Sequence, residues 1–447
     1  MSVNSGFIST MIRILAVVST TLIVSACSSW LGDIKAPPLP GERISVLRHE
    51  TSLRPESDAD ASKIRLPAPS PTPDWPQSGG YANHTMYHVA AAPKLQEVWT
   101  RDIGGGATSN ERLTATPVVG GGRVYSIDAY SDVSAFDAKS GRHIWTTELT
   151  PRAEDDGHIS GGIAYDNGRI YVGTGFAQVI AIDAATGKVI WRKQVSGPVR
   201  SAPTIRGGRV FAISLDNKLH TLAAHDGSLL WTHTGSPETA MLLGGASPAV
   251  DQGVVVVPYT SGELVALKVE NGRKLWIDSL ASRRRSDSTS ALAHIRANPV
   301  IDRGRVFAIS HSGIMVSIDL RSGMRVWEKN IGGQQQIWVA GDYLFTLTNN
   351  EELTALERNS GRVLWVRALP RWTNPETFSG PIVWSGPLLV SDRLIVASSF
   401  GTAVAISPYS GKILGSEEMP DGVSVPPIVA GNTVYFLADD ATLAAYR

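Results

Sequence analysis

The 447-residue sequence predicts an all-β fold: an eight-bladed β-propeller of four-stranded antiparallel blades, closed by pairing of its N- and C-terminal strands. The first observation is a repeat of about 40–50 residues, a period typical of propeller blades. The second is composition, because 43 Gly and 12 Trp indicate tight turns and short strands. The third observation is that the last predicted strand has no following strand in its own repeat to pair with. Seven blades is the alternative, because the copies at 332–370 and 378–419 are irregular.

Residues 1–26 are predicted to be a signal peptide. Arg13 supplies a positive charge, and the apolar run from Ile14 to Val24 is too short to span a bilayer comfortably. Small residues then precede Cys27, as a signal peptidase requires, and the cysteine thiol is a nucleophile that can accept a diacylglyceryl group. This segment resembles the bacterial lipobox, so Cys27 is the predicted lipidation site. An ordinary secreted protein cleaved nearby is the alternative.

The residue after the cysteine indicates a location. Ser28 stands where an inner-membrane retention signal would place Asp, so the lipobox resemblance implies lipid anchoring to the outer membrane, at its periplasmic face. A triacyl anchor exceeds the two signals that stable anchoring requires. Cys27 is the only cysteine, which excludes an intramolecular disulfide. Both Met1 and Met11 are compatible with initiation.

A Pro-rich segment follows the cysteine. Residues 27–75 are predicted to form a lipidated tether, and residues 76–447 to form the propeller. Five prolines between Pro67 and Pro76 are spaced too closely for a helix or a central strand. Such segments are semi-rigid, so we expect the tether to hold the propeller some tens of ångströms from the lipid.

Each repeat contains an apolar strand, often an Asp, then a turn Gly, and a Trp four residues after the Gly. Gly allows the positive φ of a short hairpin, Asp satisfies backbone donors there, and Trp is predicted to start the outer strand and fill the gap between blades. The copies are Gly141 with Trp145, Gly187 with Trp191, Gly227 with Trp231, Gly272 with Trp276, Gly323 with Trp327, Gly361 with Trp365, and Gly411 with Gly415 in the Trp position.

Two apolar strands precede each copy, and proline recurs at the start of the first. Proline lacks an N–H donor, which an inner strand can spare at its first residue. The recurring prolines are Pro203, Pro248, Pro299, Pro387 and Pro427.

The ring is predicted to close by joining two distant segments. Residues 443–447 have the pattern of a third strand and have no fourth strand after them. Residues 95–100 have the outer-strand pattern, with Trp99, and have no repeat ahead of them. Pairing the two segments hides their edges and completes the eighth blade.

The repeat resembles the quinoprotein-type blade over residues 95–447, and Asp74–Gly80 is similar to the opening motif of that superfamily. Together with the lipobox and the length, the chain resembles the BamB family, the propeller lipoproteins of the machinery that folds β-barrels into the outer membrane. The resemblance implies a non-enzymatic scaffold that binds the barrel-forming subunit of this complex and aids insertion of outer-membrane proteins.

The resemblance also implies that loops joining the middle blades bind the barrel-forming subunit. The matching segments are 240–247 and 282–298, where the family pattern has an Arg in the first loop and an acidic pair in the second. Here the first loop has Met241, Leu242 and Leu243, and the second has His294 and Arg296. The apolar half of the pattern is present and the charged half is not, so no salt bridge is carried over. The apolar run is equally compatible with the start of an inner strand.

Arg283, Arg284 and Arg285 form the strongest charge run, between an outer strand and the next inner strand. These arginines are predicted partner-binding residues, with lipid-headgroup contact or a solvated loop as alternatives. Unfolded outer-membrane proteins are a further possible partner, through strand addition to a blade edge. The balance of 41 basic and 41 acidic residues argues against a nucleic-acid partner.

A periplasmic dehydrogenase dependent on pyrroloquinoline quinone is the alternative function, because such enzymes share the blade. The enzymes that this blade resembles are larger chains with an adjacent cysteine pair and an axial calcium ion. Cys27 is the only cysteine in this sequence, so it cannot form such a pair. Aspartates occur mostly once per repeat, at turns, and no histidines have metal-site spacing. We therefore predict no enzyme activity and no catalytic residue, cofactor or metal. A generic interaction propeller is the third hypothesis.

Overall fold

Four-stranded antiparallel sheets repeat along the chain. The computed structural model describes residues 53–57, 61–152, 159, 161–281 and 292–447, and these residues form eight such sheets. First strands of neighbouring sheets contact one another, which makes them the inner strands of a ring. The predicted all-β, eight-bladed propeller is confirmed.

Blades 1 to 4 follow the chain in order, each running from inner to outer strand. Blade 1 contains β2 (Val118–Gly120), β3 (Arg123–Ile127), β4 (Val133–Asp137) and β5 (His143–Thr147). Blade 2 contains β6 (Gly162–Asp166), β7 (Arg169–Gly173), β8 (Gln178–Asp183) and β9 (Val189–Gln194). Blade 3 contains β10 (Thr204–Arg206), β11 (Arg209–Ser214), β12 (Lys218–Ala223) and β13 (Leu229–Thr234). Blade 4 contains β14 (Ala249–Asp251), β15 (Val254–Pro258), β16 (Glu263–Lys268) and β17 (Lys274–Ser279).

Blades 5 to 7 continue the pattern, with one extra hairpin before blade 7. Blade 5 contains β18 (Val300–Asp302), β19 (Arg305–Ile309), β20 (Met315–Asp319) and β21 (Arg325–Lys329). Blade 6 contains β22 (Trp338–Ala340), β23 (Tyr343–Leu347), β24 (Glu352–Glu357) and β25 (Val363–Ala368). The hairpin is β26 (Trp372–Asn374) and β27 (Ser379–Pro381), and blade 7 contains β28 (Trp384–Val390), β29 (Arg393–Ser398), β30 (Thr402–Ile406) and β31 (Ile413–Glu418).

Blade 8 is built from both ends of the repeat region. It contains β32 (Ile428–Ala430), β33 (Thr433–Leu437) and β34 (Thr442–Tyr446), completed by β1 (Glu97–Asp102). Strand β1 is antiparallel to β34, with Asp102 opposite Thr442 and Trp99 opposite Ala445. The predicted closure is confirmed.

The tryptophan of each repeat joins one blade to the next. Its indole N–H donates to the carbonyl oxygen just after the third strand of the following blade, as from Trp145 to Ala184 at 3.1 Å. The ring also lies on the turn glycine of that blade, where the φ of Gly187 is 75°. Trp145 is the third residue of β5 rather than its first, because the strand begins two residues earlier than the sequence predicts.

Proline positions follow the predicted rule with one difference. Pro203, Pro248, Pro299 and Pro427 directly precede the inner strands β10, β14, β18 and β32. Pro387 instead lies within β28, where the register against β29 shifts between Ser385 and Leu388. The irregular pairing there tolerates a residue without an N–H donor.

The described part of the predicted tether packs against the propeller. Besides a single 3₁₀ turn (Ala61–Lys63) in the described ranges, it contains the fully buried Ile64 and the buried Trp75. The compact unit spans Ser52–Arg447, so it begins earlier than the predicted boundary at residue 76. A Pro-rich, extended chain can line a groove as well as span a distance.

This N-terminal segment makes one circuit of the inner strands. Its backbone or side chains bond to blades 8, 1, 2 and 3 through Thr72, Trp75, Pro76 and Gln77. Its next residues bond to blades 4, 5, 6 and 7 through Ala82, Asn83, Tyr87 and Val89. Residues 72–91, called the inner segment below, therefore contact all eight blades in ring order.

Candidate functional site

The two loops that the sequence singles out lie against each other. The loop between β13 and β14 carries Met241–Leu243, and the loop between β17 and β18 carries His294 and Arg296. The Leu242 N–H donates to His294 Nδ1 at 3.0 Å, and Arg296 Nε donates to the Leu243 carbonyl oxygen at 2.9 Å. His294 and Arg296 thus fix the backbone of the apolar loop to the neighbouring blade.

Burial separates the roles of these residues. Leu243 is 40% exposed, whereas Met241 and Leu242 are partly buried and His294 is buried. Burial, together with the nearby charges of Arg296 and His311, lowers the pKa of His294 to about 4. His294 is therefore neutral at pH 7, which leaves a lone pair to accept the Leu242 amide. Of the three apolar residues, Leu243 is the one whose side chain is presented to solvent.

The alternative reading of Met241–Leu243 as the start of an inner strand is wrong. Strand β14 begins at Ala249, and the apolar residues lie in the loop before it. Gly244 has a φ of 82°, and this left-handed residue turns the chain before the strand starts. Arg283, Arg284, Arg285 and Cys27 lie outside the described residues.

Both loops emerge from one face of the ring. Because strands within a blade are antiparallel, connections from an outer strand to the next inner strand leave by the same face as turns between second and third strands. We call this the loop face. The inner segment contacts turns between first and second strands, at Gly431 and Ser391, and so lies toward the opposite face.

Aromatic residues on the loop face were missed by the sequence reasoning. Phe378 is 62% exposed at the tip of the extra hairpin and packs edge-on against Trp372. Phe400 is 65% exposed in the turn between β29 and β30, and Val383 bonds to the adjacent Ser399. The long connection between Trp365 and Gly411 is the signal that could have indicated an insertion.

An axial cavity of about 120 Å³ opens beside the Leu243 loop. The inner segment contributes Trp75, Ser78 and Gly79 to its wall. Trp75 stacks on Trp338, with ring centroids 6.1 Å apart. The polar lining comes mainly from Arg296, Asn298, Gln334, Gln335 and Gln336.

The cavity does not fit a calcium-bound quinone. Aspartate and glutamate are absent from its described lining, although calcium requires several oxygen ligands that usually include carboxylates. Among the residues that the structure describes, no group of His, Cys, Asp and Glu could hold a metal ion. Cys27 cannot supply an adjacent pair.

The described ranges also contain no helix long and apolar enough to cross a bilayer.

Curated relatives of the chain are BamB proteins. "Outer membrane protein assembly factor BamB" of Yersinia pestis is 26% identical over 256 residues, covering 56% of this chain and 62% of that protein. The protein of the same description from Escherichia coli K12 is 27% identical, covering 45% of this chain and 50% of that protein. The matched regions therefore span about half to three-fifths of these relatives.

Solved structures with the same fold include a BamB protein and an alcohol dehydrogenase. "BamB from Moraxella catarrhalis" matches with a TM-score of 0.68 at 17% identity, covering 79% of this chain and 100% of that chain. "Quinohemoprotein Alcohol Dehydrogenase from Comamonas testosteroni" matches with a TM-score of 0.64 at 16% identity, covering 86% and 82%. At these identities the likeness shows the fold alone.

The family comparison is more specific. The family model described as "Outer membrane protein assembly factor BamB" matches residues 89–149, 129–367 and 370–447. These segments include every blade of the ring. The chain therefore belongs to the BamB family of outer membrane protein assembly factors.

Proposed function

We propose that this protein is a non-enzymatic scaffold of the outer-membrane β-barrel assembly complex, which binds the barrel-forming subunit and aids insertion of outer-membrane proteins. The observation that carries the proposal is the fixed loop that presents Leu243 on the loop face. Family membership supports it, since relatives are described as outer membrane protein assembly factors.

The loop is suited to binding because its backbone is fixed before a partner arrives. A loop that is ordered on binding loses conformational entropy, and hydrogen bonds from His294 and Arg296 reduce that loss. A few well-packed, fully desolvated residues near the centre of an interface commonly contribute most of the binding energy. We therefore assign Leu243 as the central contact, with Met241 and Leu242 supporting it and Arg283–Arg285 contributing from the adjacent loop.

The predicted location fits this role. Lipidation of Cys27 would confine the propeller to the periplasmic face of the outer membrane, where barrels are inserted. Mature protein labelled with a radioactive fatty acid tests this part of the proposal, with Cys27→Ala as the unlabelled control. Equal labelling of the variant would contradict it.

Site-specific crosslinking tests the partner. A photoreactive residue at position 243 is expected to trap the barrel-forming subunit in cells. The same residue at the exposed position 188, in a turn at the opposite face, is the control and should not trap it. Recovery of only unrelated proteins from position 243 would count against the scaffold and leave the generic interaction propeller.

Blade edges are the proposed contact for unfolded outer-membrane proteins. Outer strands expose apolar side chains, among them Ile190, Leu230, Ile277 and Leu414. An extended client can add a strand to such an edge through main-chain hydrogen bonds. Protection of these strands from hydrogen exchange by an unfolded barrel peptide is the expected result, and unchanged exchange would argue against it.

The dehydrogenase alternative predicts a different outcome. Purified protein mixed with pyrroloquinoline quinone and calcium is expected to show neither saturable binding nor dye reduction, because the axial lining that the structure describes lacks carboxylates. Substrate-dependent dye reduction would overturn the non-enzymatic proposal.

A further inference from the structure

Arg296 places a positive charge in the wall of the axial cavity. Its guanidinium donates to the Leu243 carbonyl oxygen and lies 3.5 Å from Gln334 Oε1, both of which are uncharged acceptors. Within the described ranges it forms no ion pair, and burial lowers its pKa from the ordinary value. A guanidinium that is partly withdrawn from water and has no ion-pair partner in the described ranges is stabilised when an anion accompanies it.

Two further donors near Arg296 have no acceptor. The Trp75 Nε1–H is buried, lines the same cavity, and has no hydrogen-bond partner in the described part of the chain. Arg200 Nε is likewise buried without a described partner, in a small cavity that shares Gly244 and Gly245 with the axial one. Buried polar groups without partners are uncommon, and these two belong to side chains that line the axial cavity and the small cavity next to it.

The size and the walls of the cavity indicate the kind of anion. An engineered cavity of about 150 Å³ holds benzene, so the axial volume of about 120 Å³ suits a molecule of only a few heavy atoms. Trp75, Trp338, Ala202 and Val425 supply apolar wall beside the donors. This combination favours a charged head with a short apolar tail.

From these contacts we propose that the axial cavity binds a small free carboxylate, whose oxygens accept hydrogen bonds from Arg296 while its tail packs against the rings of Trp75 and Trp338. Planar carboxylates match the fork of an arginine guanidinium, which favours them over halide ions. The proposal does not depend on the scaffold function, because it concerns the isolated propeller and leaves Leu243 free.

The test is a titration of the purified full chain with propionate. Binding is monitored by calorimetry and by the NMR signal of the Trp75 indole N–H. That signal is assigned by its loss in Trp75→Phe. We expect saturable binding and a shift of this signal, with at least tenfold weaker binding of the uncharged isostere propionamide. Equal binding of propionate and propionamide would overturn the proposal.

Two variants separate the charge of Arg296 from its structural bond. Arg296→Gln removes the charge, whereas Gln334→Glu keeps Arg296 and places a carboxylate beside it with nearly the same shape. Both are expected to weaken propionate binding at least tenfold, and Gln334→Glu should not lower the thermal unfolding midpoint. Arg142→Gln, an exposed charge change in a turn at the opposite face, should bind like the parent. Parent-like binding by Gln334→Glu would refute the site even if Arg296→Gln failed to fold.

A second titration, with a peptide, distinguishes a small free carboxylate from the C-terminus of a polypeptide. N-acetyl-trialanine with a free C-terminus carries the same head group on a chain. We expect propionate to bind at least as tightly, because the axial volume of about 120 Å³ accommodates only a few heavy atoms and a tripeptide has many more. Binding of the peptide without binding of propionate would replace a small metabolite with a chain end and so overturn the proposal.

Discussion

At the scale of single residues, the fold depends on a contact between one tryptophan and one glycine. Each indole lies on the turn glycine of the next blade, and a Cβ atom at Gly227 would come within 2.7 Å of Trp191. The same glycine has a φ of 73°, which L-residues rarely adopt. Two requirements therefore coincide at one position, and each blade junction with a Trp repeats them.

Gly227→Ala is expected to lower the free energy of unfolding by about 2–3 kcal/mol, from backbone strain and from the clash with Trp191. Gly168→Ala is the matched control, because its φ is 75° while a Cβ atom there meets nothing within 4 Å. Gly168→Ala should lower the free energy of unfolding by only about 1 kcal/mol, from backbone strain alone. Denaturant unfolding of both variants measures the difference, and equal losses would contradict the proposed packing role.

Buried histidines are expected to make the propeller sensitive to acid. His84, in the inner segment, bonds through Nδ1 to the Pro299 carbonyl oxygen at 2.7 Å, and burial lowers its pKa to about 4. The unfolded chain takes up this proton near pH 6.5 and the folded chain does not. Stability from this group is therefore full above pH 6.5 and falls by about 3 kcal/mol toward pH 4.

His84→Asn should flatten this acid loss in a series of unfolding midpoints between pH 7 and pH 4. Asparagine tolerates the φ of 60° found at this position and can still donate to Pro299. His225→Asn, at an exposed position, is the control and should leave the profile unchanged. A parent-like slope in His84→Asn would show that this histidine does not couple folding to protons.

At the scale of the blade, the junction between blades 7 and 8 differs from the other seven. Strand β31 carries Gly415 where tryptophan belongs. Blade 8 has no turn between its third and fourth strands, because its fourth strand, β1, precedes the other seven blades in the chain, so no turn glycine is there to receive an indole. An apolar gap of about 180 Å³, lined by Leu95, Phe436 and Tyr446, is left at this place.

Gly415→Trp is expected to raise the free energy of unfolding by about 1–2 kcal/mol by filling this gap. A Cβ atom at Gly415 meets nothing within 4 Å, and this glycine is not in the left-handed region. Gly415→Ala measures the gain from removing a strand glycine alone. If the Trp and Ala variants have equal unfolding midpoints, the gap does not accept an indole.

At the scale of the whole molecule, two features hold the ring closed. Strand β1 joins the ends of the repeat array, and the inner segment ties all eight inner strands together from within. A closed ring leaves no blade face without a neighbour, so its blades should unfold cooperatively. The loop face can then present Leu243 and the axial cavity on a rigid support.

Deletion of residues 97–102 is expected to abolish cooperative thermal unfolding, because it exposes the edge of β34 and removes Trp99 from the core. Deletion of residues 374–379 removes as many residues from the extra hairpin and should shift the midpoint by only a few degrees. Calorimetry of both proteins gives the comparison. A parent-like transition without β1 would mean that the ring does not need this closure.

The sequence by itself determined the blade, the repeat number and the closing strand. The turn glycines, the tryptophans and the apolar strands recur at short, regular spacing, so their information is local and can be seen in one repeat. Position 415 is the exception to this repeat, because it has Gly where the other copies have Trp. It lies in blade 7, directly before the blade that closes the ring. The sequence also identified Leu243, His294 and Arg296 as residues of interest.

Only the tertiary structure decided how these parts meet. Several contacts join residues that are far apart in the chain. They are the hydrogen bond between Gln77 and Ile205, the stacking of Trp75 on Trp338, and the bond by which His294 holds the Leu243 loop. Such contacts recur with no period and follow no propensity, because they depend on the curvature of the finished ring. For the same reason the axial cavity, and the charge that Arg296 places in it, became visible only once eight blades had enclosed them.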